Sequence, residues 1–249
     1  MAGPLPWKIV WVTGASTGIG RDIAHQLAAT GVAVAASARS PDKLAGLGPT
    51  IHAYPLDVTD QAATAAVVDR IESELGAIDL CILGAGTYAP VDAAALDPKP
   101  FAVMMNTNYM GVVNCISALA PRMIGRGRGH LSWIASVAGY VGLPKAAAYG
   151  PTKAALINLG ESLYPEFRRK GVAVSVINPG FVTTPLTAQN DFEMPFLMQS
   201  DEAARRTIEG LRSGRFEIAY PRRFAAILKI ARLLPYPLFF KLIDKAVLK

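Results

Sequence analysis

Short stretches of consecutive apolar residues punctuate this chain, and between them apolar residues return every three or four positions. A run of about four to eight apolar residues suits a strand buried on both faces, and the 3.6-residue return suits a helix lying on such a sheet. The runs are 7–12, 32–38, 51–56, 79–83, 129–135 and 172–177, with 216–219 as a candidate seventh. Helical patterns fill Gly18 to about Ala29, a stretch capped by Thr59 or Asp60 that continues to Leu75, Lys99 to Ile124, and Ala148 to Arg169. Gly31 is placed to end the first helix. Strand and helix alternate throughout, without an internal repeat or low-complexity linker. The pattern predicts an α/β fold, a doubly wound parallel sheet with helices on both faces and ligands outside the carboxyl ends of its strands.

The first apolar run leads into Thr13-Gly14-Ala15-Ser16-Thr17-Gly18-Ile19-Gly20. A strand that stops in glycines and opens a helix presents unpaired N–H groups, a seat for an anion such as a pyrophosphate. The spacing is G-x-x-x-G-x-G rather than the commoner G-x-G-x-x-G, and alone it also suits a tight strand-to-helix connection. With it the sheet reads as Rossmann-like, in a single domain.

Composition narrows the class. The chain has 249 residues, 51% hydrophobic and 18% charged, which speaks against disorder. It contains no apolar run of about eighteen residues, the length a spanning helix needs. Residues 1–6 are too short a lead for a signal peptide, and Cys81 and Cys115 read as reduced core thiols outside any metal-ligand pattern. The expected location is cytoplasmic. The formal net charge is +6, and all the excess lies after residue 220, where seven basic residues face only Asp244. Residues 1–220 are therefore read as the dinucleotide-binding and catalytic domain, and 221–249 as a basic amphipathic extension.

The loops after the later strands carry the candidate chemistry. Ser136 follows the fifth strand, Tyr149 stands thirteen residues on, and Lys153 lies one helical turn beyond on the same face. Chance would place this triplet in a chain of this composition about 0.01 times.

At these residues the chain resembles the short-chain dehydrogenase/reductase family over about residues 8 to 220. The resemblance rests on 13–20, Asp57-Val58, Asn108-Tyr109-Met110-Gly111, Ser136, Tyr149-Gly150-Pro151-Thr152-Lys153, and Asn178-Pro179-Gly180 with Thr184, in family order. It implies a catalytic tetrad of Asn108, Ser136, Tyr149 and Lys153. It also implies a nicotinamide cofactor held by Gly14, Ser16, Thr17, Gly18, Ile19, Gly20, Asp57, Val58, Ala85, Gly86, Asn108, Tyr149, Lys153, Pro179, Gly180, Val182 and Thr184. In the resemblance Ser136 hydrogen-bonds the substrate oxygen, Lys153 holds the nicotinamide ribose and Asn108 helps hold a relay water. Asp57 and Val58 flank the adenine, and Pro179, Gly180, Val182 and Thr184 flank the carboxamide. Two departures stand out: Gly84-Ala85-Gly86 replaces the usual Asn-Ala-Gly, and Gly150-Pro151-Thr152 replaces small residues after the tyrosine.

The residue types suit the implied reaction. Carbonyl reduction leaves an alkoxide-like oxygen that needs a proton, and Tyr149 is the expected donor. A phenol has a pKa of about 10, and proton transfer near neutrality favours a lower one, which a charged Lys153 helps supply. Cofactor choice turns on Ser37-Ala38-Arg39-Ser40: an NAD site places an acid where Ala38 stands, whereas a 2′-phosphate asks for a cation, here Arg39. NADP(H) is expected over NAD(H), with Arg39 as an exposed loop cation the competing reading.

The stretch from Thr184 to Ser200, rich in Phe, Met and Leu, occupies the family's substrate lid. It reads equally as an adaptable apolar pocket or as core. On a helical wheel, Phe224–Leu234 places Lys229 and Arg232 on a narrow polar side, and Lys241, Asp244 and Lys245 oppose Leu238, Phe239, Leu242 and Ile243. Such helices suit an anionic membrane surface, or pack over the substrate opening or between subunits. The expected partners are an apolar carbonyl or alcohol, possible membrane-surface contact through 221–249 and a second copy in a homo-oligomer (dimer or tetramer). No metal is expected, and no nucleic acid either, because the cations are interleaved with apolar residues. A dinucleotide-binding sensor or scaffold without turnover is the alternative on the same fold.

Overall fold

The computed structural model describes residues 5–247, with side chains to 244. At its centre β1 (Ile9–Thr13) lies between β2 (Ala33–Ser37) and β4 (Leu80–Leu83). β3 (Ile51–Ala53) continues the sheet beyond β2. β5 (Gly129–Ile134), β6 (Val172–Pro179) and β7 (Glu217–Tyr220) continue it beyond β4. All seven strands are parallel, in the order β3-β2-β1-β4-β5-β6-β7. The chain winds outward from β1 in one direction and then returns to wind in the other, so a crevice opens beside the end of β1.

The helices cover both faces. α1 (Gly18–Ala28), the short α2 (Pro41–Ala45) and α7 (Ser200–Arg212) bury Ile23, Leu27, Leu44 and Leu211 with Val10, Val12, Val34 and Ile82. On the other face α3 (Gln61–Glu74), α5 (Gly111–Arg126) and α6 (Tyr149–Arg169) bury Val68, Ile71, Leu119 and Leu156 with Trp11 and Trp133. The Trp133 indole N–H donates to the Leu156 carbonyl at 2.9 Å, fastening α6 to β5. α8 (Arg222–Ala231) and α9 (Tyr236–Val247) close the chain.

The apolar pattern locates every strand, with no end shifted by more than three residues. β3 is shorter than its run because Pro55 has no N–H to give, although Tyr54 and Leu56 still donate to Ala36 and Ala38 at 2.8 and 3.0 Å. Asp60, not Thr59, caps α3, accepting from the Ala63 N–H at 2.9 Å. The long helix expected from Lys99 is three segments: α4 (Pro98–Met104), a π-helical stretch (Met105–Met110) and α5. Periodicity does not reveal α2, which is only five residues long. α7 also lacks an apolar run, burying a stripe of small side chains, Ala203, Ala204 and Thr207, beneath exposed charge.

Candidate active site

Ser136, Tyr149 and Lys153 meet where β5 ends and α6 begins. Ser136 caps the 3₁₀ turn Val137–Gly139, accepting from the Ala138 N–H at 3.1 Å and donating to the Pro179 carbonyl at 3.3 Å. That turn lies directly on α6: a Cβ on Gly139 would stand 2.7 Å from the Lys153 carbonyl carbon, so only glycine allows this approach. Tyr149 is the first residue of α6 and partly buried, its ring 5.3 Å from and nearly perpendicular to Tyr88. The Lys153 ammonium is 5.4 Å from the Tyr149 ring centroid and donates to the Ile134 carbonyl at 2.8 Å.

Burial dominates the protonation of this pair. It raises the Tyr149 phenol above its ordinary value, with the Ser136 hydroxyl pulling the other way. It pushes the Lys153 ammonium down to about 7. Burial outweighs any lowering of the phenol by Lys153 in this arrangement. Desolvation disfavours the charged form of each group, and a protonated phenol is the form that can donate.

Asn108 is fully buried in the π-helical stretch. Its side chain accepts from the Thr87 N–H at 2.7 Å and donates to the Thr87 carbonyl at 3.0 Å and the Thr152 hydroxyl at 3.1 Å. The amide thus braces the loop after β4 against α6. Gly84, in place of the family's asparagine, has a local reason. A Cβ there would lie 3.0 Å from Ile134 Cδ1, while the Thr13 hydroxyl accepts from the Gly84 and Ala85 N–H groups at 3.1 and 3.3 Å.

The expected cofactor residues line the carboxyl ends of neighbouring strands. Gly14 has φ +70°, and a Cβ there would stand 2.5 Å from the Gly84 carbonyl oxygen. Thr17 begins α1 without a side-chain cap and the first turn has no acid, an environment that fits an anion. Ser16 and Ile19 flank the turn, and a Cβ on Gly18 would stand 2.8 Å from Thr184 Cγ2. Arg39 is exposed after β2. Asp57 accepts from the Thr59 N–H and hydroxyl at 3.0 and 2.8 Å. These bonds hold its carboxyl below the usual range, with a smaller contribution from Arg39. Val58 is buried against Gly111, and Ala85 and Gly86 follow β4. Pro179 ends β6 and Gly180 follows it, while the Val182 side chain is packed in the core.

A family model described as short chain dehydrogenase matches residues 8–194, the span holding the turn, the strand ends and all four tetrad positions. The chain belongs to the short chain dehydrogenase family. An uncharacterized oxidoreductase of Myxococcus xanthus is 38% identical over 242 residues, 94% of this chain and 96% of that protein. A 3-oxoacyl-[acyl-carrier-protein] reductase of Staphylococcus aureus is 34% identical over 188 residues, 72% of this chain and 76% of that one. In structure, a short chain dehydrogenase/reductase of Burkholderia phymatum in complex with NAD superposes with a TM-score of 0.84. It is 23% identical and covers 92% of this chain and 94% of that one, a likeness of fold. The protein is thus an oxidoreductase of this family on a Rossmann-like sheet.

Around this family core the structure adds side chains that the sequence did not single out. Tyr88 gives one wall beside Tyr149, and Val91, Met104 and Ala148 form an apolar cluster there. Phe181 contacts Phe192 and Phe224, and Phe196 also contacts Phe224, so the lid segment rests on α8 through aromatic rings. Lys145 pairs with Asp191 at 2.7 Å, tying the lid to the loop before α6. This segment is therefore partly packed and partly surface, with Phe196 and Leu197 about half exposed.

In the tail, part of each helix packs on the body and part faces outward. Lys229 pairs with Glu217, and Arg232 donates to the Tyr140 carbonyl at 3.0 Å, so both cations turn toward the body. Phe239 and Ile243 are buried against Ala231. Ile227, Ile230, Leu233, Tyr236, Leu238 and Phe240 instead face outward, each at least half exposed. A carboxylate on β7 that can accept an ammonium outweighs the helical-wheel pattern. Among the described residues, no helix is long and apolar enough to cross a membrane, and no cluster of His, Cys, Asp and Glu could hold a metal.

Proposed function

We propose that this protein is an NADP(H)-dependent oxidoreductase that interconverts a ketone or aldehyde and an alcohol by hydride transfer, working reductively on an apolar or lipid-like substrate. The observation that carries the reading is the convergence of the Ser136 hydroxyl, the Tyr149 phenol and the Lys153 ammonium at the strand ends. A bound nicotinamide supplies the hydride. Ser136 and Tyr149 then supply hydrogen bonds to the carbonyl oxygen as negative charge develops on it, and Tyr149 gives up its proton there. Lys153, next to the phenol, stabilises the resulting phenolate and is placed to hold a cofactor hydroxyl. Asn108 keeps the β4 loop in register with α6, and a relay water beside it belongs to the same reading. Residues 1–220 carry this machinery and 221–249 form the extension.

The apolar wall around Tyr149 and the aromatic lid favour an apolar carbonyl. The relative that reduces 3-oxoacyl groups is consistent with that class. The outward apolar face of α8 and α9, with Arg222 and Arg223 exposed beside it, suits an anionic membrane surface.

The cofactor assignment rests on Arg39 standing after Ala38, where no acid competes for a 2′-phosphate. Titration with NADPH and NADH, followed by nicotinamide fluorescence, is expected to favour NADPH by at least about tenfold. Arg39→Asp is expected to abolish that preference. Equal affinities in the wild type would contradict the role of Arg39, and binding of neither cofactor would contradict the whole reading.

A further inference from the structure

Glu217 opens β7, in register with Val176 of β6. One of its carboxylate oxygens accepts from the Tyr140 hydroxyl at 2.7 Å and from the Asn178 side-chain amide at 3.1 Å. The other accepts from Lys229 of α8. Tyr140 is the residue after the turn that Ser136 caps. Asn178 precedes Pro179, whose carbonyl accepts from the Ser136 hydroxyl. One carboxylate therefore holds both segments that fix Ser136. α8 reinforces one of them: Arg232 donates to the Tyr140 carbonyl, and the Lys229 ammonium lies 5.1 Å from the Tyr140 ring centroid.

Pairing and hydrogen bonding together stabilise the arrangement. A half-buried carboxylate is costly unless hydrogen-bonded and paired. Burial raises the Glu217 carboxyl, but Lys229, Tyr140 and Asn178 outweigh it and hold the group below the usual range. The Asn178 amide turns its N–H₂ to this acceptor, leaving its own buried oxygen without a partner among the described residues. An amide sacrifices an acceptor in this way when a charged partner fixes its orientation.

We propose that Glu217 is a positioning residue for hydride transfer, setting the separation of the Ser136 turn from the Asn178–Gly180 turn and linking that separation to the docking of α8. The proposal rests on the carbonyl reductase reading above. Glu217 touches no reacting atom in it. Its effect falls on the nicotinamide and substrate end of the site, not on the adenine end, which lies across the sheet beside β2 and β3. Glutamine keeps one acceptor oxygen for Tyr140 and Asn178 but loses the charge that holds Lys229. Alanine loses all three contacts.

The test compares wild type, Glu217→Ala and Glu217→Gln in NADPH titrations and in turnover of a ketone that the wild type reduces. In Glu217→Ala, kcat is expected to fall at least about tenfold, the effect of losing one charge-assisted hydrogen bond at the site. The Kd for NADPH is expected to stay within about threefold, while the fluorescence enhancement of bound NADPH falls. Glu217→Gln is expected to recover most of both kcat and the enhancement. Unchanged kcat and enhancement in a folded Glu217→Ala protein would overturn the proposal, as would equal losses in the two variants. If Glu217→Ala does not fold, Tyr140→Phe, which removes one hydroxyl, is expected to lower kcat about threefold at unchanged Kd, and no change would overturn the proposal. A wild type that binds NADPH but reduces no ketone would instead overturn the carbonyl reductase reading, leaving the fluorescence comparison to test Glu217.

Discussion

Single residues carry the proposed chemistry, and those proposed to react were the most legible in the sequence. Ser136, Tyr149 and Lys153 are named by type and spacing, because a proton donor and a helical cation one turn away leave a readable pattern. Their protonation was not legible, because burial sets it, and burial is decided by partners distant in the chain. His130 shows the same point away from the site. It is buried on β5, 2.8 Å from the Ser175 hydroxyl, and burial pushes its pKa down to about 4. Its folded pKa lies below the unfolded value of about 6.5, so the unfolded chain takes up the proton first as pH falls. This contribution to stability is complete above about pH 6.5 and is lost progressively toward pH 4. Urea unfolding at pH 7 and pH 5 is expected to show about 2 kcal/mol of acid-induced loss in the wild type that His130→Asn lacks. Equal losses in both proteins would remove His130 as the cause.

At the scale of elements, strands were legible because a short continuous apolar run, bounded by turn residues, suits a sheet covered on both faces and little else in a chain of this kind. Helices with weak apolar stripes were not: α7 buries small side chains and α2 is barely more than one turn. The helical pattern read over Lys99–Ile124 did not reveal that Met105–Met110 is π-helical, yet this stretch brings Asn108 to Thr87 and Thr152. The contact of the Ser136 turn with α6 was also hidden, because it depends on a missing side chain at Gly139. Gly139→Ala places a methyl against the Lys153 backbone and is expected to cost about 1–3 kcal/mol, as overpacking usually does. It should also lower turnover by displacing Ser136 from Tyr149. Denaturant midpoints with parallel turnover assays measure both, and an Ala variant matching the wild type in each would show that the turn tolerates a wider gap.

For the whole molecule, the charge count foretold a distinct tail but not its orientation. A helical wheel groups Lys229 and Arg232 on one narrow side, and Glu217 and the Tyr140 carbonyl draw that side inward. What remains outward is a band of large apolar side chains on α8 and α9 beside Arg222 and Arg223. Flotation with vesicles containing anionic lipid is expected to carry the protein upward, and Arg222→Glu/Arg223→Glu to leave it at the bottom. Flotation with neutral vesicles should be weaker, and failure to float with either would assign that band elsewhere. The central claim, however, is that Tyr149 is the proton donor in a nicotinamide-dependent carbonyl reduction. The most direct measurement is NADPH-dependent ketone reduction by the wild type and Tyr149→Phe, with the Kd for NADPH determined in both. Loss of the donor is expected to lower kcat by at least about 100-fold with little change in Kd. A phenylalanine variant that binds NADPH and reduces the ketone at the wild-type rate would contradict the mechanism.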